Sequence, residues 1–269
     1  MIHRDTRGRR ERLDRWGRGG SPVSEDDGEL MATLDDLDNA DNYSGWIEDL
    51  IRPYLGGQIL EVGAGRGTFT RRLAGHGKVI AVEPAPGALE PLSEVAAEVD
   101  AQVIAGDLSN VPAGTQATSA VFINVLEHIS EDVDALRTAR SLVEPGGHVI
   151  VFVPAFELLY SRFDAAIGHY RRYRKEELAA VFEHAGLDLV DIRYVNAPGW
   201  LAWLVLVKLL RQSPTTGGAS ALYDRAAVPV IRRVEAKVRV PFGQSILCVG
   251  RRQPQADDGV PGAGGDVGT

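Results

Sequence analysis

The chain has 269 residues, of which 29 are Lys or Arg and 37 are Asp or Glu, for a formal charge of −8 and a pI near 5.3. That length suits one large α/β domain with a full core better than two independent domains. The acidic balance argues against loose binding to nucleic acid, which draws most of its free energy from neutralising phosphates with Lys and Arg. Cys248 is the single cysteine, so no intrachain disulfide can form. Charges occupy the N-terminal stretch where a signal peptide needs an apolar core, and a reducing, cytoplasmic setting is expected. Only four of the basic residues are Lys and 25 are Arg, a bias that GC-rich coding produces, so clusters of Arg have a compositional explanation from the outset.

Residues 1–30 are rich in Arg, Gly, Ser and acids and lack apolar periodicity, which predicts a disordered arm. The tail 253–269 is equally poor in large apolar groups and is also expected to be mobile. Between them, residues 31–252 alternate short β-branched runs with longer helical patterns, as in a mostly parallel sheet covered by helices on both faces. Strands are expected at 58–62, 78–83, 101–105, 119–123 and 148–154. Helices are expected at 68–74 and 132–142, the second stopped by Pro145, Gly146 and Gly147. Farther on, KEELAAVFEHAG reads as a helix ending at Gly186, 187–196 alternates like a strand, and 244–251 is a last strand. The insertion 197–242 contains GWLAWLVLV, well short of the roughly 20 apolar residues that span a bilayer. Either it is a buried or acceptor-covering helix, or it touches a membrane or lipid tail at an interface.

The chemistry is carried first by ILEVGAGRGTF. Gly63, Gly65 and Gly67 lie between an apolar strand and a helix, where a Cβ would hinder the sharp turn and close ligand approach; Ala64 sits within the same loop. A dinucleotide site of the form G-x-G-x-x-G is the rival. Here the third glycine comes one residue early, Thr68 taking its place. Glu61 would also repel a pyrophosphate and attract a cationic amino-acid group. Glu83, followed by Pro84, ends the next strand 20 residues after Gly63, at a spacing suited to accepting ribose hydroxyls. Asp107 can accept from an adenine amino group, with Leu108 against the ring; alone, the pair would read as an Asx turn. Asn124 and Val125 end the fourth strand at the sheet edge where open α/β sheets bind ligands.

In this order and at this spacing, these motifs resemble the class I methyltransferases dependent on S-adenosylmethionine (SAM), of the type that methylates ubiquinone and menaquinone precursors. The resemblance covers residues 42–251. It implies a Rossmann-like sheet of seven strands, the last antiparallel and inserted beside the fifth. It also implies a SAM site formed by Gly63, Gly65, Glu83, Asp107 and Asn124. In related enzymes a tyrosine upstream of the glycines closes over the cofactor; Tyr43 either does so or, with Trp46, anchors the first helix. The Asn/Asp-Pro-Pro-aromatic sequence that serves base or amide methylation is missing after Asn124.

Methyl transfer to a hydroxyl calls for a base near the methyl group. His128 and His169 are the candidates; His128 has a structural histidine bonded to nearby backbone as its alternative, and a helix start there would favour its neutral form. The run FDAAIGHYRRYR, similar to one found in a subset of bacterial methyltransferases, gathers Asp164, Arg171, Arg172 and Tyr173. With Tyr160 and Trp200 these would bind the acceptor, the guanidinium groups gripping an anionic head; otherwise the run is a solvated Arg-rich loop. The expected acceptor is a small molecule, with lipid- or sugar-linked intermediates among the fits. The competing readings are a SAM-binding partner without catalysis, an NAD(P)-dependent oxidoreductase and, less suited to the Arg-rich run, a polyamine synthase. The six His and one Cys show no metal-ligand spacing, and no metal is expected.

Overall fold

The computed structural model describes residues 40–209 and 221–254. The arm expected at 1–30, the tail from 255 onward and part of the 197–242 insertion lie outside the described residues. Seven strands form one sheet: β1 (Gln58–Val62), β2 (Lys78–Glu83), β3 (Gln102–Ala105), β4 (Ala117–Ile123), β5 (Val143–Pro154), β6 (Asp188–Val195) and β7 (Ser245–Arg251). Their spatial order is β3-β2-β1-β4-β5-β7-β6. Neighbours from β3 through to β5 pair in parallel, and β7 runs antiparallel to both β5 and β6. This is the α/β Rossmann-like sheet expected from the motif order, with the antiparallel strand inserted beside the fifth.

The strands read as continuous apolar runs because both faces are covered. Leu60, Val62, Val82, Phe122 and Val151 pack on one side with Leu178 and Phe182. Ile59, Val79, Val121, Ile150 and Phe152 pack on the other with Trp46 and Ile47. Each such buried side chain contributes about 1.5–3 kcal/mol. The helices on these faces are α1 (Asp41–Ile51), α2 (Thr68–Leu73), α3 (Pro86–Val99), α4 (Asp132–Leu142), α5 (Arg162–Ala166) and α6 (Lys175–His184). The largest boundary difference from expectation is at the start of β5. β5 starts at Val143, so Pro145-Gly146-Gly147 lies within it, because the β4 register shifts there: Ala117 faces Val143 and Ser119 faces His148.

In the insertion, α7 (Ala197–Trp203) runs on into a π-helical turn, Leu204–Leu209, and a second π turn, Tyr223–Ala227, leads into α8 (Val228–Glu235). Two acids from this region serve helix starts, one outside the insertion and one within it. Buried Asp224 accepts from the backbone N–H of Asn42 (3.1 Å) and Tyr43 (2.8 Å) at the start of α1. Glu235 accepts from the N–H of Asn196 and Ala197, both at 2.9 Å, at the start of α7. Free N–H groups at a helix start need such acceptors, and negative charge there is favoured by the helix dipole. The loops after β1 to β5 meet at the carboxyl edge of the parallel strands.

Candidate functional site

The loop after β1 turns on three left-handed glycines, Gly63 (φ +69°), Gly65 (φ +56°) and Gly67 (φ +96°). A Cβ on Gly63 would lie 2.6 Å from Val125 Cγ2, and one on Gly67 2.9 Å from Val95 Cβ, so glycine is required for packing as well as for conformation. Glu83 ties the loop to β2: Oε2 accepts from Gly65 N–H and Oε1 from Ala85 N–H, both at 2.7 Å. Beside the loop is an open cleft with about 450 Å³ of free space, lined by Glu61, Val62, Gly63, Ala64, Gly65, Arg66, Thr68, Phe69, Val121 and Ile123.

Glu61 is the acid of this cleft. It is 4 % exposed and accepts from Thr70 Oγ1 at 2.5 Å. Burial pushes its carboxyl up to about 8, opposed by the Thr70 hydrogen bond and assisted by repulsion from Glu83. The side chain is therefore largely neutral at pH 7 until a cation arrives. Cleft-lining Val121 pairs in register with Glu61, and Ile123 lies on the same face two residues on. The period-2 alternation of β4 was the signal that could have located both.

The other expected cofactor residues sit around the cleft without lining it. Gly67 is the N-terminal cap of α2, and Pro84 follows Glu83 between the loop anchors. Asp107 Oδ1 accepts from Ser109 N–H (2.8 Å) and Oγ (2.6 Å), so the Asx turn weighed against the adenine role is present. Leu108 is 8 % exposed. Asn124 adopts φ +53°, and its N–H donates to Phe152 O at 2.8 Å. Tyr43 packs edge-on against Trp46 and Phe152, with its hydroxyl 3.3 Å from Ser245 Oγ. That is the anchoring alternative for Tyr43.

A second cluster joins the loops after β4 and β5. Glu127 is fully buried, and among the described residues neither carboxylate oxygen has a hydrogen-bond partner. Burial pushes it up to about 7, against the pull of His169 and Arg172. His169 Nδ1 lies 2.9 Å from Asp164 Oδ1, and its Nε2 lies 3.8 Å from Glu127 Oε1. The His128 and His169 rings meet edge-to-face with centroids 4.5 Å apart. His128 closes the short 3-10 turn Leu126–His128, and the α-helix starts only at Asp132. The expected helix-start dipole is therefore not what keeps His128 neutral; burial and the neighbouring His169 push it down to about 3.

Within the Arg-rich run Arg172 is buried, Arg171 half-buried and Arg174 exposed, and the guanidinium groups of Arg171 and Arg172 have carboxylate partners inside the chain. Arg172 is buried, donates from Nε to Asp164 Oδ1 at 2.7 Å and lies 4.6 Å from the Trp203 ring centre. Arg171 donates to Asp132 Oδ2 and Ser130 O, both at 2.7 Å. Tyr173, 2 % exposed, donates to Asp132 Oδ2 at 2.9 Å. Tyr160 donates its hydroxyl to His169 O at 2.7 Å. Trp200 sits between Phe156 and Phe242. Of the expected acceptor residues, Asp164, Arg171, Arg172 and Tyr173 thus brace one another or α4. The spacing of His and Cys along the chain gave no metal-ligand pattern; in the fold, ligand atoms of Glu127, His128 and His169 all lie within 4.8 Å of one another. Linear spacing hid the set, since the fold alone brings residues 128 and 169 together.

Residues 38–192 match the model of a methyltransferase domain. The chain belongs to that family. The methyltransferase domain takes SAM as its cofactor, and its residues fit that molecule: a left-handed glycine loop beside an open cleft, with a buried carboxyl available to a cationic amino-acid end. Among solved structures, a SAM-dependent methyltransferase from Archaeoglobus fulgidus is 17 % identical, with 77 % of this chain and 94 % of that one covered at TM-score 0.51. A geranyl diphosphate methyltransferase solved with GPP and sinefungin is 14 % identical, with 76 % of each chain covered at TM-score 0.54. The cyclase SpnF is 17 % identical, with 78 % and 81 % covered at TM-score 0.53. At these identities the likeness is one of fold. A search of the curated proteins returns no match.

Proposed function

We propose that the domain transfers the methyl group of SAM to a hydroxyl or carbon of a small molecule, among them lipid- or sugar-linked intermediates. The observation that carries this reading is the position of the Glu127–His128–His169 cluster. It begins two residues after Val125, the side chain that packs against the glycine loop. Glu127 is fully buried and the His169 side chain is only 8 % exposed, so the site suits a group on a slender molecule better than the surface of a folded one. Glu61, Gly63, Ala64, Gly65 and Gly67 would hold the methionyl end of the cofactor, Glu83 and Pro84 the ribose, Asp107 Oδ2 and Leu108 the adenine. Asn124 and Val125 would form the floor, and Tyr43 would brace the near wall.

The cofactor supplies a methyl group already activated by sulfonium, which leaves the protein to place the acceptor and accept its proton. Asp164 Oδ1 fixes the His169 ring through Nδ1, with Nε2 turned toward Glu127, and His128, kept neutral by burial, presents a lone pair beside it. The apolar side of α7 and its extension supports a greasy acceptor: Leu201, Val205, Leu206 and Leu209 are exposed, as is Leu158. Trp203 Nε1 donates to Leu159 O at 3.2 Å, which ties this face to the loop after β5. Among the described residues no helix is long and apolar enough to cross a membrane, and the buried thiol of Cys248 accords with a cytoplasmic setting. We read 31–252 as one methyltransferase unit with 197–242 inserted.

Calorimetry with S-adenosylhomocysteine and with NADH tests the cofactor half, the expected result being micromolar binding of the first and none of the second. NADH binding alone would overturn the reading. Binding should also be linked to pH through Glu61. A carboxyl raised above its unfolded value lends stability in acid and loses it as pH rises from about 4.5 to about 8. A ligand that needs the ionised form must expel the proton, so affinity should rise by up to about tenfold per pH unit below 8. Buffers of different ionisation enthalpy should report that proton, and Glu61→Gln should flatten the pH profile. For the acceptor half, methyl label from SAM should appear in a small-molecule or organic-soluble fraction of a cell extract; label confined to protein or nucleic acid would refute it.

A further inference from the structure

We infer that Glu127, His128 and His169 form a binding site for one divalent first-row transition metal ion. The donors are a carboxylate and two imidazoles whose ligand atoms already lie within 4.8 Å of one another. Metal–ligand bonds of about 2.0–2.2 Å would draw them together by small side-chain rotations. Two imidazoles and one carboxylate with open positions suit zinc, iron, cobalt or manganese better than magnesium or calcium.

Two further observations point to a ligand. Glu127 is 0 % exposed, yet neither oxygen has a hydrogen-bond partner among the described residues. A buried carboxyl without hydrogen bonds carries a large desolvation penalty that a cation would relieve. His169 is also oriented from behind, as metal-bound histidines are. Asp164 Oδ1 lies 2.9 Å from Nδ1 and is itself held by Arg172 Nε (2.7 Å), while Oδ2 accepts from Ser161 N–H and Oγ, both at 2.8 Å. That network leaves Nε2 as the free donor, on the side where Glu127 lies.

A first-row ion held by three protein ligands keeps open coordination positions, which an acceptor oxygen can fill. Taken with the proposed methyl transfer, on which this clause rests, the acceptor class is a hydroxyl compound: its O–H bond breaks, the oxygen keeps the electron pair against the ion, and the proton leaves to solvent.

The test is titration of the untagged full chain with Co²⁺, followed by its visible absorption, with Zn²⁺ as competitor and S-adenosylhomocysteine calorimetry on the same samples. One Co²⁺ per chain, displaced by Zn²⁺, is expected. Glu127→Gln and His169→Gln should weaken binding by about 100-fold, and Asp164→Asn by about 10–100-fold. His184→Gln, an exposed change on α6, should leave it unaltered. No Co²⁺ binding by wild type, or binding indifferent to Glu127 and His169, overturns the site. Should a variant fail to fold, X-ray absorption of the wild-type Co²⁺ protein decides: two imidazoles in the metal shell support the assignment and none overturns it. Homocysteine-adduct binding without Co²⁺ removes the metal site and spares the methyltransferase reading, whereas the converse spares the site alone.

Discussion

Asp164→Ala is expected to remove about 3–5 kcal/mol of stability, the cost of leaving a buried charge without its partner. The carboxylate is fully buried and accepts from Ser161 N–H and Oγ, His169 Nδ1 and Arg172 Nε. Burial alone would raise its pKa, but the His169 hydrogen bond and the Arg172 charge outweigh burial and hold it well below the usual range. Without it, the Arg172 guanidinium retains the face of Trp203, worth about 0.5–2 kcal/mol, and Nη1 already lacks a partner. The loss would take a large share of the roughly 5–15 kcal/mol that holds a domain together. Urea unfolding should show a lower midpoint with an unchanged slope. The double change Asp164→Leu with Arg172→Met should cost less than Asp164→Ala alone, since no unpaired charge remains. A single-variant loss below about 1 kcal/mol would show that water reaches the guanidinium.

The second large effect is expected at the glycine loop. Gly63→Ala should weaken S-adenosylhomocysteine binding by about 100-fold, the scale of an ångström-sized displacement at a positioning element. It should also destabilise the chain by about 2–5 kcal/mol, by adding a strained left-handed residue to an overpacked contact. These two causes can be separated. The added Cβ would sit 2.6 Å from Val125 Cγ2 at φ +69°, so Val125→Ala in the same chain relieves the clash and leaves the strain. A double-mutant cycle should therefore recover part of the stability and part of the affinity. Full additivity of the two changes would mean that Val125 does not meet the loop.

The parallel half of the sheet was legible because apolar runs ended in glycine or proline. β1, β2 and the helix Asp132–Leu142 match residue for residue. Cofactor motifs were legible for a related reason: each lies at one strand end, so linear order maps onto the site. The acceptor side lacked such a map. Charge in the run from Asp164 to Arg174 was visible, but the pairing was not: Arg171 engages Asp132 on α4, and Arg172 engages Asp164 within the run itself. That made an internal brace look like a grip for an outside anion. The same blindness to loop-to-loop distance concealed Glu127 and His169, 42 residues apart in the chain and 3.8 Å apart in space. Pro145-Gly146-Gly147 misled in the opposite sense, since a bulge absorbed within β5 carries the signature of a turn.

The tertiary caps supplied by Asp224 and Glu235 bear on how such a domain can change its chemistry. An inserted segment that only lay over the acceptor could be exchanged between relatives like a cassette. This one also terminates α1, the helix that carries Tyr43, and α7 itself. A transplanted insertion lacking both acids would expose N–H groups on the host scaffold, so a swap of specificity between relatives has to carry these two anchor points along with the residues that meet the acceptor.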